Sequence, residues 1–238
     1  MYLFSFKTFP GFTKNESPDK TIFSFDRMFY SLQHVGNPGD LLVCEDDLLL
    51  NLWEEISFPE MYRITYPSLP MKVRYAEFFD QHFLTFLHWM VYERYSSYKN
   101  VMKYFVNLEI LELLKREAKL PSEKSGHKDA QTLVIFPDNW TRFNVLPPTT
   151  FEEKNLISLV STDTQNKKDL HRRSVKKGLA TTIIATHSEV FQPFCNLKKI
   201  LLYDPDKRYY NNQQDPRYTL PVVAEKMAEI YGAELVMK

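Results

Sequence analysis

The amino-acid sequence predicts an α/β fold, three layers deep, with a mostly parallel sheet covered by helices and an irregular region in front of it. Three observations carry this. From Gln131 onward short apolar runs alternate with helix-patterned segments, the order that builds a parallel sheet. The first of them, QTLVIFPD, is continuously apolar up to Pro137, which marks a parallel strand covered on both faces. The chain of 238 residues is 44% hydrophobic and 15% aromatic, enough to bury a sizeable core.

Residues 1–71 are aromatic-rich and broken by Pro10, Pro18, Pro38, Pro59, Pro67 and Pro70, with runs such as TIFSF and DLLVCEDDLLLNLW between them. A few short strands and at least one short helix are expected there. Glu45, Asp46 and Asp47 precede an apolar run as ordinary helix N-terminal charge does, not as a catalytic pair. Residues 72–238 form the second region. From Lys72 to Lys119, Phe78, Phe79, Phe83, Phe86, Leu87 and Met90 recur at three- and four-residue spacing, as do Val106, Ile110, Leu113 and Leu114, which predicts mostly helix. His82 and His88 share this stripe without partners at metal-ligand spacing, so core packing accounts for them.

LPSEKSGHKDA is polar and carries Pro and Gly, a surface loop. QTLVIFPD then reads as the first strand of the parallel sheet and NLISLVST as the second. DLHRRSVKKG is a helix with its cations toward the C-terminus and Gly178 as its stop. ATTIIATHS and KKILLYD are the third and fourth strands, PVVAEKMAEIYG is a helix opened by Pro221 and closed by Gly232, and AELVMK begins another strand. Ligands of such sheets sit at the carboxyl ends of the strands.

Thirty basic and thirty acidic side chains cancel, so no global field draws the chain onto nucleic acid or an anionic surface, although local patches remain open. Cys44 and Cys195 lie far apart, which excludes a disulfide scaffold and a multi-cysteine zinc site and fits a reducing cytoplasm, the expected location. MYLFSFKTFPGF has no basic segment ahead of an apolar run and does not read as a secretory signal. No apolar run is long enough to suggest a membrane span.

Two segments carry candidate chemistry, and each has a plain alternative. HRRSVKK, with Arg172, Arg173, Lys176 and Lys177, joins Lys167 and Lys168 in a basic cluster suited to phosphates or to a solvated helix face. YYNNQQDPRY sets Tyr209, Tyr210 and Tyr218 beside Arg217 and amides, a composition suited to single-stranded DNA or to a polar surface loop. The strand ILLYD ends in Asp204. In sheets that hydrolyse nucleotides a carboxylate there holds Mg²⁺ and faces the γ-phosphate, whereas elsewhere Asp-Pro is a turn.

Residues 178–224 carry Thr186 and Ser188 after a strand, then Phe191, Pro193, Phe194, Asn196 and Leu197, then Asp204, then Gln213 and Gln214, and finally Pro216, Arg217 and Tyr218. In this order and spacing the segment resembles the primosomal protein N′ (PriA) family of superfamily 2 replication-restart DNA helicases. Pro137 and Asp138 fall where that family has Pro-Glu, and the likeness spans residues 92–238, ending before the family's next motif. It implies a RecA-like, P-loop NTPase-like lobe.

Departures from the family pattern point to a degenerate lobe. A phosphate cradle needs glycines whose backbone N–H groups close on the anion, followed by Lys and Ser or Thr. YERYSSYKN stands in that place, so Lys99 is either the remaining nucleotide-binding lysine or a surface helix lysine. Pro205, Asp206 and Lys207 replace Glu-Glu-His, leaving Asp204 and Asp206 as vestigial carboxylates with no catalytic residue or metal site assigned. His187 replaces an arginine and is either a DNA-phosphate contact or a hydrogen-bonded loop residue.

The resemblance therefore implies a protein without ATPase activity or cofactor that binds single-stranded or forked DNA, or a replication-restart protein. The DNA-binding candidates are His187, Arg172, Arg173, Lys176, Lys177, Tyr210, Arg217 and Tyr218. Two alternatives stand beside it: an ATP- and Mg²⁺-dependent helicase subunit completed by a second lobe, and a purely structural interaction module. A regular helix over YERYSSYKN would tell against the enzyme.

Overall fold

The computed structural model describes residues 2–9, 22–30, 35–44, 47–53, 72–75, 78–94, 96–102, 104–105, 129–145, 155–160 and 162–238. They divide into two compact units, Met1–Leu84 with Glu112–Glu117, and Thr85–Leu111 with Ala118–Lys238.

In the first unit β1 (Tyr2–Phe9), β2 (Ile22–Tyr30), β3 (Leu41–Cys44), β4 (Asp47–Trp53) and β5 (Lys72–Tyr75) form one five-stranded sheet in the order β2-β1-β4-β3-β5. Every pair in it is antiparallel. A regular sheet thus stands where irregular structure is expected. Asp47 opens a strand and pairs with Cys44, so the helix N-terminal reading of its charge is corrected; Glu45 and Asp46 lie outside the described residues. Leu48, Leu49 and Leu50 are paired on both sides, by β1 and by β3, and two completed ladders outweigh a local charge preference. Lys72 likewise begins a strand rather than a helix. Gly39 lies at φ +95°, where a Cβ would come 2.1 Å from the carbonyl oxygen of Phe79; the Phe79 amide donates to the Gly39 carbonyl at 3.1 Å. Only glycine fits that approach.

Helix α1 (Gln81–Glu93) appears where the aromatic stripe predicts it. The Phe83 amide donates to Asp80 Oδ1 at 2.8 Å at its start, and Phe83, Leu84, Phe86, Leu87 and Met90 are buried along it. A short helix, α2 (Tyr98–Met102), follows. Val106, Ile110, Leu113 and Leu114 lie outside the described residues.

The second unit holds the expected α/β architecture of a RecA-like lobe. In chain order come β6 (Gln131–Phe136), α3 (Asn139–Val145), β7 (Leu156–Leu159), α4 (Gln165–Lys176), β8 (Thr182–Thr186) and β9 (Leu197–Leu202). After them come β10 (Asn211–Asn212), β11 (Tyr218–Thr219), α5 (Leu220–Tyr231) and β12 (Glu234–Met237). Five of these strands make an all-parallel sheet, β12-β9-β6-β8-β7, flanked by helices. Leu133, Ile135, Ile183, Ala185, Ile200 and Leu202 are buried within it, and its central strand β6 accordingly reads as a continuous apolar run. Thr164 caps α4 by accepting from the Lys167 amide at 3.4 Å. Gly232 closes α5 in the left-handed conformation, φ 60°, which glycine adopts without penalty.

At the amino end of β6, Gln131 is fully buried. Its Nε2 donates to the carbonyls of Val175 and Ala180 at 2.9 and 3.0 Å. Its Oε1 accepts from the amides of Cys195 and Asn196 at 3.0 and 3.1 Å. One amide side chain thereby joins the end of α4 and the entries to β8 and β9. The chain leaves β6 for β7, returns to β8 beside β6, then crosses to β9 on the other flank and on to β12. Strand order reverses around β6, which places the ligand crevice of such a sheet at the carboxyl ends there. No described helix is long and apolar enough to cross a membrane.

Candidate nucleic-acid interface at the carboxyl edge

Four strand ends meet the carboxyl edge: β6 runs into Asp138, β8 into His187, β9 into Asp204 and β12 into Lys238. Among the described residues other than glycine, His187 (φ 40°) and Asp204 (φ 50°) have positive φ. Backbone held in such sparsely populated regions gathers at functional positions.

The crevice itself is filled by the chain. The Tyr210 hydroxyl donates to the carbonyl of Tyr203 at 2.7 Å and reaches that of Ile135 at 3.4 Å. Its side chain is 1% exposed. Burial, with Asp204 and Asp138 adding their charge, pushes this hydroxyl far above the ordinary phenol value, so it remains a proton donor. Phe136 and Tyr203 stack beside it, with ring centroids 4.7 Å apart. The expectation that Tyr210 stacks on DNA is corrected: its ring is a plug between the ends of β6 and β9.

Next to the plug a cleft of about 390 Å³ is lined by Asp204, Pro205, Asp206, Lys207, Met237 and Lys238. The Asp204 amide donates to the Lys238 carbonyl at 2.8 Å, and the Lys238 amide to the Leu202 carbonyl at 2.9 Å. The carboxylates of Asp204 and Asp206 therefore line the same cleft as Lys207 and Lys238.

YERYSSYKN is neither a regular helix nor a cradle. Helix α1 ends at Glu93, Ser96 and Ser97 are non-helical, and Lys99 is the second residue of α2. A phosphate cradle leads from a strand through glycines into a helix; here a helix leads in. The α2 entry is already satisfied within the chain, the Asn100 amide donating to Ser97 Oγ at 3.2 Å. Ser96 Oγ donates to Asp215 Oδ1 at 2.6 Å, and Asn100 Nδ2 donates to Asp215 Oδ2. A carboxylate of the chain itself thus stands before this segment, and these residues do not fit a triphosphate.

The remaining DNA-binding candidates separate by burial. Tyr218, 4% exposed, packs edge-on against Phe191 at 5.4 Å and Tyr104 at 6.5 Å, and stacks on His187 at 5.9 Å. It too is corrected from stacking platform to core ring. Burial depresses the His187 imidazole below its ordinary value, which favours the neutral form and weakens it as a phosphate contact.

On α4, Arg172 Nη2 donates to the Tyr104 carbonyl at 3.3 Å. Lys168 pairs with buried Glu189 at 3.0 Å, and Lys167 with Asp163 at 2.8 Å. Arg173, Lys176 and Lys177 are also engaged within the chain. The α4 cluster therefore braces the fold. By contrast Lys207, Arg208 and Arg217 are exposed, and Tyr209 between them is 68% exposed.

Sequence reasoning missed α3. Asp138 caps it, accepting from the Thr141 amide at 2.7 Å, so Asp-x-x-Thr after the strand was the available signal. The helix exposes Trp140 (77%) and Phe143 (53%), with the Arg142 guanidinium 5.1 Å from the Phe143 ring centroid. No protein-family model and no curated protein matches the chain.

Proposed function

We propose that the chain binds single-stranded or forked DNA without hydrolysing ATP, as the degenerate replication-restart helicase lobe that the primosomal protein N′ resemblance implies. A replication-restart protein is the partner class that fits this role. The reading rests on one contrast. Most of the chain's basic cluster is engaged within the fold, whereas Lys207, Arg208 and Arg217 are exposed and hold no hydrogen bond or ion pair with described side chains. Exposed Tyr209, Asn211, Gln213 and Gln214 lie among them. Cations that meet phosphates, with an open ring for a base, are the elements of single-strand binding.

The test is fluorescence anisotropy with single-stranded and forked oligonucleotides at rising salt. The double variant Arg208→Ala/Arg217→Ala is expected to weaken binding, and to lower the slope of log K against log salt by roughly 1.4, the share of two single-strand phosphate contacts. Absence of binding at low salt, or an unchanged slope in the variant, would defeat the reading.

A further inference from the structure

We infer that a single nucleic-acid strand crosses the carboxyl edge of the parallel sheet between two aromatic platforms, Tyr209 and Trp140. This rests on the proposed DNA-binding reading and extends it to a helix outside the basic segment. Trp140 is the most exposed large apolar side chain among the described residues. With exposed Phe143 and Val145 on the same helix it makes a contiguous aromatic and apolar patch, the kind of surface that marks an interaction site.

Both platforms belong to the same edge. Helix α3 begins where β6 ends, and its cap, Asp138, acts electrostatically on the Tyr210 hydroxyl. Tyr209 directly precedes Tyr210, whose bonds to Tyr203 and Ile135 fasten that turn to the ends of β9 and β6. Tyr209 is thus presented from a fixed base rather than a loose loop. Phe143 follows Trp140 at i+3, on the same helix side, with the Arg142 guanidinium over its ring. Charge bears on the occupant: Lys207 and Arg208 adjoin Tyr209 with exposed side chains, and with Lys238 these cations outnumber the exposed carboxylates of Asp204 and Asp206 at this edge. Asp138, the acid nearest Trp140 in the chain, directs both carboxylate oxygens to Thr141. Stacking faces beside exposed cations suit unpaired bases on a phosphate chain, not an apolar protein segment.

The experiment titrates the full chain with oligo-dT of about twelve nucleotides, comparing wild type, Trp140→Ala, Trp140→Phe and Arg208→Ala/Arg217→Ala. Trp140→Ala is expected to weaken binding about tenfold with the salt slope unchanged, because a stacked base and no phosphate contact is lost. Trp140→Phe is expected to restore most of it. If the cation variant weakens binding while Trp140→Ala matches wild type, the second platform is overturned and the DNA-binding reading stands. If wild type binds no oligonucleotide, both fall. If Trp140→Ala instead changes the sedimentation coefficient of the protein alone, a second copy covers this face, which also overturns the proposal.

Discussion

At the amino end of the parallel sheet one buried glutamine meets backbone groups from three separate segments. At the carboxyl end two residues sit at positive φ, a tyrosine is needed to fill the crevice, and cations and aromatic rings face water. Both ends belong to the same five strands, so strand composition does not set the difference. What separates them is satisfaction: the amino end meets its polar groups within the chain, and the carboxyl end leaves Lys207, Arg208 and Tyr209 facing water. On the reading proposed above, stability and recognition fall at opposite ends of one core.

The sharpest way to break this comparison is at Gln131. Gln131→Leu keeps the volume but strips hydrogen bonds from the Ala180 carbonyl and the Cys195 and Asn196 amides, a loss on the order of 3 kcal/mol. It is expected as a lower urea midpoint with an unchanged m-value and with oligonucleotide affinity intact under native conditions. A loss below about 1 kcal/mol would mean that the amino end is not the structural anchor. A smaller effect belongs to Tyr210→Phe. It removes the donor to the Tyr203 carbonyl while Ile135 keeps the Tyr203 amide, at a cost of about 1 kcal/mol. Because the turn that carries Tyr209 is released, affinity for single strands should fall as well, in contrast to the Gln131 variant.

The smallest effect is a pH dependence. Burial holds the native His187 imidazole below its ordinary value, so the unfolded chain takes up the proton first. Stability is therefore full above about pH 6.5 and declines as pH falls through the native value. His171, depressed by burial and by nearby Lys167, acts in the same direction. His187→Asn keeps a residue that tolerates positive φ and should reduce the stability lost on acidification, measured by urea unfolding at several pH values. An unchanged acid dependence would place the titration elsewhere.

Much of the parallel sheet was legible because its signals are local. β6 and β8 carry apolar runs, LVIF and IIA, β9 ends in the apolar ILL, and Pro221 and Gly232 delimit α5 through their own backbone preferences. The strand end carrying Asp204 was legible for the same reason. The side-chain roles were not, because distant residues decide them. YYNNQQDPRY is polar in composition, yet Tyr210 turns inward to reach Ile135, and Tyr218 to reach Phe191. Arg172 belongs to a cluster that reads as open to phosphate until Tyr104 supplies its acceptor. In the first unit the charge at Asp47 suggested a helix because the flanking ladders that make it a strand leave no trace in local spacing.

Asp215 accepts from Ser96 and Asn100 at once, and Arg217 lies two residues beyond it. One carboxylate thus tethers the exposed basic segment to the start of α2, with Asn212 Nδ2 adding a second tie to Tyr104 at 3.3 Å. The segment is thereby fastened by side chains at two places, the start of α2 and Tyr104 just beyond its end.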